Sequence, residues 1–323
     1  MIVFAGIVAG LLLLVGGGAA LVHGASQLAA RAGVPPLVVG LTVVAFGTSM
    51  PELIVNLVGA FRGETGLAFG NVIGSNIANL ALIMGVAALL RPLDLHSGLV
   101  RREVPLLALG TTVLAVLALD EFLGNGIPKI GRADSIVLFL IFGVFLYITV
   151  ADVVRRRKGE AIVAEIDSNP LLVKNLVARF PAPYVLLGVV LLYGGGELTI
   201  WSSVRLANMV GIPTFQVGLF IIAVGTSLPE LVTSVVAALR RESDLAVGNL
   251  VGSNIFNALF ILPATALLAE IEIPQGGITD ILFSLLLAVV LVPIFAFGRA
   301  RLGRVVGGAL LVSYVAWAVV RAG

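Results

Sequence analysis

The stretch VGLTVVAFGTSMPELIVN, Val39–Asn56, returns as VGLFIIAVGTSLPELVTS, Val217–Ser234, and this recurrence decides the fold. After a short polar turn each copy is followed by a second shared stretch, GNVIGSNIANL from Gly70 and GNLVGSNIFNA from Gly248. Glu52 and Glu230 lie 178 residues apart, as do Asn79 and Asn257. Aligned without a gap, 23 of the 41 positions from Val39 to Asn79 and from Val217 to Asn257 are identical. Self-similarity at a fixed offset marks an internal duplication. It reaches further, because Gly16, Gly17 and Gly18 match Gly194, Gly195 and Gly196 at the same offset.

Composition says what surrounds the duplicated unit. The 323 residues are 59% hydrophobic and 12% charged, with mean hydropathy +1.13. A soluble domain carries roughly 25% charge, so lipid must solvate this chain. Apolar runs of about 20 residues fit membrane helices, whereas barrel strands are shorter and alternate. Cysteine is absent, which excludes disulfides and thiolate metal sites. The first apolar run has no basic flank ahead of it and is expected to be retained as a span. Net charge of +2 resides in loops, where it encodes orientation and gives no sign of a nucleic-acid partner.

The expected fold is an all-α membrane protein of ten transmembrane helices. The predicted spans are Ile2–Leu28, Leu37–Phe61, Ala68–Leu90, Val104–Leu119, Ser135–Val154, Pro183–Met209, Phe215–Leu239, Ala246–Leu268, Ile278–Phe297 and Gly303–Val320. Residues 1–154 form one five-helix repeat, 155–182 a cytoplasmic linker, and 183–323 the second repeat. An odd number of helices per repeat makes the second copy enter from the opposite face, so the repeats are inverted, as in secondary transporters. On this threading one face collects fifteen Lys and Arg, including Arg155–Lys158, Arg240 and Arg241. The other collects five: Arg62, Lys129, Arg132, Arg205 and Arg321. The richer face is cytoplasmic, which puts both termini outside a cell membrane.

The site is expected where the motif breaks its own helix. Pro51 and Pro229 each remove an amide donor and clash with the carbonyl four residues back. That frees the carbonyls of Gly47 and Gly225 and loosens those of Thr48 and Thr226. Such a break is tolerated at membrane depth where the freed groups line a cavity or hold an ion. Glu52 and Glu230 follow directly, and a carboxylate there costs at least about 2.5–3.5 kcal/mol on insertion scales. Two facing carboxylates also repel unless a cation or a proton intervenes. Asn71, Ser75 and Asn79 share one helix face at spacings of four, and Asn249, Ser253 and Asn257 repeat it. This all-oxygen set suits a hard cation such as Ca²⁺ or Na⁺. A lone Ser, Thr or Asn in a membrane helix is ordinarily interhelix glue; the weighing reverses for Glu52 and Glu230, which are costly there and recur with the same neighbours. Asn76 and Asn254 are assigned to interhelix bonding, and Glu197, whose repeat mate is Ala19, to a minor or structural role. No mid-membrane His or Asp stands beside a nucleophile, so an enzyme is not expected.

At GTSMPE and GTSLPE, with GNVIGSNIAN and GNLVGSNIFN after them, the chain resembles the sodium/calcium exchangers of the cation/Ca²⁺ antiporter superfamily. It is most similar to compact prokaryotic members without a large regulatory loop, and the resemblance covers the full ten-helix layout. It implies an antiporter that exchanges Na⁺ for Ca²⁺ by alternating access. It implies a Ca²⁺ site from Glu52 and Glu230 with the carbonyls of Thr48 and Thr226. It further implies Na⁺ sites from the carbonyls of Ala45 and Ala223 with Ser49, Ser227, Ser75 and Ser253, and Asn79 near the centre. The first and sixth helices would slide across the rest. Relatives often carry Asp where this chain has Asn257, so both repeats offer Asn there, which argues against potassium dependence. No resident cofactor is implied, protons are expected to compete for the two acids, and the unit is expected to be a monomer. The alternatives are a Ca²⁺/H⁺ exchanger on a related fold and, in a different class, a cation channel.

Overall fold

The computed structural model describes residues 2–31, 45–95, 98–124, 126–157, 181–296 and 301–322. Residues 37–44 of the expected second span, His96 and linker residues 158–180 lie outside the described residues. The helices are α1 (Ile2–Arg31), α2 (Ala45–Thr48), α3 (Met50–Phe61), α4 (Thr65–Leu90), α5 (Gly98–Leu123), α6 (Arg132–Arg157) and α7 (Pro181–Val210). They continue with α8 (Thr214–Thr226), α9 (Leu228–Leu239), α10 (Ser243–Leu268), α11 (Gly277–Ala296) and α12 (Arg304–Ala322). Among the described residues, seven helices are long and apolar enough to cross a membrane, and the bent pair α8–α9 is an eighth. Met50–Phe61 and Glu103–Leu119 are shorter apolar helices. The chain is a multi-pass, predominantly helical membrane protein.

Two expected boundaries move outward. α5 spans 26 residues instead of Val104–Leu119, and α6 runs on to Arg157, three residues into the expected linker. At 1.5 Å per residue, 26 residues reach about 39 Å, which crosses the hydrocarbon and enters the headgroup layer. Hydropathy reports only the hydrocarbon part.

α4 and α10 form the centre, with 83% and 72% of their apolar windows buried, against 17% for α6 and α12. Each carries a π turn, Ala78–Ile83 in α4 and Asn257–Ile261 in α10, and a third, Gly218–Ile222, lies in α8. α1 and α7 pack face to face and run antiparallel. Gly6 faces Ser202, Gly10 faces Thr199 and Gly195, Gly17 faces Leu192 and Gly188, and Gly24 faces Val185 and Pro181. Large apolar side chains on the rim, Leu12, Leu140, Leu186 and Val305 among them, are exposed as lipid-facing residues should be.

Two short antiparallel ribbons join one half to the other. β1 (Leu93–Asp94), which follows α4, pairs with β4 (Arg301–Leu302), and β2 (Lys129–Ile130) pairs with β3 (Ile271–Glu272), which follows α10. Arg301 is 3.2 Å from Asp94, which reinforces the first ribbon. Arg321, one of the charges read only for orientation, instead holds the buried Asp280 at 2.8 Å, and Trp317 Nε1 donates to the same carboxylate at 2.9 Å. Breaking such a buried pair from one side costs about 3–5 kcal/mol, so this clamp fixes α12 against α11.

Candidate cation site

Each motif copy ends one helix and starts another. α2 stops at Thr48 and α8 at Thr226, and α3 and α9 restart at Met50 and Leu228 with the proline in their first turn. Proline is suited to that position because its missing amide would be unpaired anyway. The serine between is the joint: Ser49 has φ −90° and ψ 9°, Ser227 φ −81° and ψ 9°. That is the sparsely populated bridge region. In the second copy the two helices bend by 44° at the joint. Gly47 and Gly225 serve close approach: a Cβ on either would strike Val22 or Leu11 of α1. The break lies where the prolines predicted it.

Glu52 and Glu230 lie in the first turns of α3 and α9, 1% and 0% exposed. Their partners are crossed between the copies. Ser49 Oγ donates to Glu230 Oε1 at 3.3 Å, and Ser227 Oγ to Glu52 Oε1 at 3.2 Å. Thr48 also bonds to Glu230 across the copies. Ser253 Oγ adds a bond to Glu230 Oε1 at 3.2 Å and lies 3.3 Å from Ser49 Oγ. The two acids therefore share one buried neighbourhood rather than occupying separate faces.

α4 and α10 supply the remaining polar groups. Asn71 Nδ2 donates to Asn56 Oδ1 at 2.7 Å, and its Oδ1 accepts from Thr226 Oγ1 at 3.2 Å. Ser75 Oγ donates to the Ala223 carbonyl at 3.3 Å, which also accepts from Thr226 Oγ1. Ala45 opens α2 one turn before Ser49. Asn249 Nδ2 donates to Ser234 Oγ at 3.0 Å, the counterpart of the Asn71–Asn56 bond. At the π turns, Asn79 Nδ2 donates to Asn254 Oδ1 at 3.0 Å and Asn257 Nδ2 to Asn76 Oδ1 at 3.1 Å. Asn254 Nδ2 donates to the Asn76 carbonyl at 3.0 Å, the interhelix bond assigned to that pair.

Among the described residues, seven buried side-chain oxygens have no hydrogen-bond partner. Three are the hydroxyls of Thr199, Ser202 and Ser203 on α7; the other four, Glu52 Oε2, Glu230 Oε2, Asn79 Oδ1 and Asn257 Oδ1, come two from each copy at equivalent positions. Buried polar atoms are nearly always satisfied, and four acceptors with no donor ask for a cation. Oxygen ligands from two carboxylates and two amides fit a hard ion. Among the described residues no cluster of three or more His, Cys, Asp or Glu exists.

Sequence reasoning did not single out Asn56. It is fully buried and donates to the Ala68 carbonyl at 3.1 Å, which ties α3 to α4 behind the acid. Its place one turn after Glu52 in PELIVN is the signal that could have found it. Glu197, given a minor role, forms an ion pair with Arg62.

The model of the sodium/calcium exchanger protein family matches residues 2–151 and 181–323. The chain belongs to the sodium/calcium exchanger family. Its relatives include the inner membrane protein YrbG of Escherichia coli, 34% identical with 96% of this chain and 94% of that protein covered. The sodium/calcium exchanger MaX1 of Methanosarcina acetivorans is 31% identical, with 96% of each covered. Among solved structures, the sodium-calcium exchanger NCX_Mj superimposes with a TM-score of 0.65 at 26% identity, over 100% of this chain and 98% of that one. The family is one of transporters, and this member is of the compact prokaryotic type.

Proposed function

We propose that the protein is a secondary antiporter that exchanges Na⁺ for Ca²⁺ by alternating access, with both ions using the Glu52/Glu230 site. The crossed serine–carboxylate pairing, with four unpartnered oxygens around it, carries this reading. Ca²⁺ is held by the two carboxylates with the threonine carbonyls of the broken helices. Na⁺ ions take the flanking oxygens of Ala45, Ala223, Ser49, Ser227, Ser75 and Ser253, and Asn79 and Asn257 complete the centre. An empty site leaves two carboxylates facing each other in a low-dielectric interior, where their repulsion is strong. The empty protein therefore resists crossing between its two conformations, and exchange is favoured over leak.

The ten spans are read as two inverted repeats, 1–154 and 183–323, joined by the linker 155–182. The antiparallel α1–α7 pair and the reciprocal ribbons support inversion, since α1 and α7 are equivalent at the 178-residue offset. The broken span α2–α3, counted as one, and Glu103–Leu119 bring the eight helical crossings to ten. The positive-inside count puts both termini outside the cell membrane. The unit works as a monomer without a resident cofactor or catalytic chemistry.

Purified protein in vesicles, loaded with Na⁺ and diluted into radioactive Ca²⁺, tests the assignment. Glu52→Gln or Glu230→Gln should abolish the uptake; wild-type uptake in either variant would refute the site. Acidification should inhibit, because protons compete for the same carboxylates. Uptake driven by a pH gradient in Na⁺-free vesicles would replace Na⁺ with H⁺ as the counter-ion.

A further inference from the structure

We propose that the Arg62–Glu197 ion pair is a one-sided latch that favours the conformation closed on the Arg62 face. The inference rests on the alternating-access reading above. Arg62 caps the C-terminus of α3, the helix that carries Glu52, so it moves with the site. Glu197 lies on α7, the partner of α1, next to Gly196. A Cβ on Gly196 would be 2.9 Å from Ile54 Cγ2 and 3.3 Å from Val58 Cγ2, so α7 lies directly on α3 at this level. Any motion that carries α7 off α3 must part the two charges.

The second copy lacks this closure. Val58 is 5% exposed, and its equivalent Val236 is 40% exposed. Leu67 is fully buried, and its equivalent Leu245 is 53% exposed. Gly18, the equivalent of Gly196, does not meet Val232 and Val236; its nearest neighbours are the Gly47 carbonyl and Pro51. The α1–α7 pair thus covers the Arg62 end of the site and leaves the Arg240 end less covered. On the Arg62 side a cleft of about 500 Å³ begins beside the ion pair, lined by Trp201, Arg205 and Asn208 among others.

The sequence makes the latch one-sided. The repeat offset carries Arg62 onto Arg240, which keeps the base, but carries Glu197 onto Ala19, which has no acid. The opposite conformation therefore has no mirror pair to hold it shut. The two side chains are partly exposed, 41% and 28%. A pair at that exposure shifts an equilibrium by about two- to five-fold. That is enough to set a resting state without blocking turnover.

The full chain has no cysteine, so Glu64→Cys with Asn208→Cys gives two spin labels across the cleft, one on the core and one on α7. In proteoliposomes the pair should report a short and a long distance. Glu197→Gln should raise the ratio of long to short by about two- to five-fold. Ala19→Glu, which installs the missing acid opposite Arg240, should raise it too. The charge swap Arg62→Glu with Glu197→Arg should restore the original ratio. An unchanged distribution in Glu197→Gln and Ala19→Glu would overturn the latch. Na⁺-driven Ca²⁺ uptake on the same vesicles reports separately on the exchanger. Normal uptake with no distance shift overturns the latch alone; absent uptake with the shift intact overturns the exchanger alone.

Discussion

α3 and α9 carry the same motif, yet α7 covers Ile54 and Val58 on the first while Val232 and Val236 on the second stay exposed. At their N-termini the two helices behave alike: each begins after a bridge-region serine, and each presents a buried glutamate bonded by the other copy's serine. The copies agree at the two acids and diverge beyond them. That is the pattern expected of a duplicated protein caught in one of two related conformations. A symmetric cage can serve both directions of travel, while asymmetric flanks decide which side has access.

The comparison breaks most readily at the acids. Glu52→Gln and Glu230→Gln should each drop Na⁺-driven Ca²⁺ uptake to the level of empty vesicles. If one variant kept transport, the two copies would not be equivalent at the ion. Next come the glycines. A Cβ on Gly17 or Gly195 would lie 2.8–2.9 Å from backbone atoms of the opposing helix, whereas one on Gly16 or Gly194 would meet nothing within 4 Å. Gly17→Leu and Gly195→Leu should each destabilise by about 1–3 kcal/mol through overpacking, read as a lower melting temperature in detergent. Gly16→Leu and Gly194→Leu should melt near wild type, and equal losses at all four positions would erase the distinction. Asn79→Ala and Asn257→Ala should each weaken apparent Ca²⁺ affinity by about ten-fold, the value of one oxygen contact to a charge. Ion-competition isotherms check this, and an unaffected Asn257→Ala would leave only Asn79 in the cage. The smallest effect belongs to the serines. Ser49→Ala and Ser227→Ala should each reduce affinity by a few-fold, in step with one another, because each removes one bond to one carboxylate.

What could be read in advance follows from which interactions leave a mark on residue identity. Proline after a Gly-Thr-Ser run removes an amide donor and disfavours an unbroken helix, so the joints at Ser49 and Ser227 were legible. A repeated intramembrane acid is too costly to be incidental, so Glu52 and Glu230 were legible as well. The π turns at Ala78–Ile83, Gly218–Ile222 and Asn257–Ile261 were not. A widened turn changes backbone bonding by one residue and needs no particular side chain. Asn79 and Asn257 were read from the sequence as members of the oxygen-bearing helix face, but the bonds they make were not. Their amide nitrogens bond across to the opposite copy, which leaves the oxygens unpartnered. The Arg62–Glu197 pair joins residues 135 apart in the chain. Duplication hid it, because the offset supplies a mate for the base and none for the acid.

The crossed bonds carry a consequence for ancestry. Each glutamate is bonded by the joint serine of the other copy, Ser49 or Ser227, so neither half alone reproduces that pairing. An unduplicated forebear could have made those crossed bonds only between two molecules. Fusion of the genes would then have made the pairing permanent, and the acid at Glu197, which the offset carries onto Ala19, belongs to one copy alone.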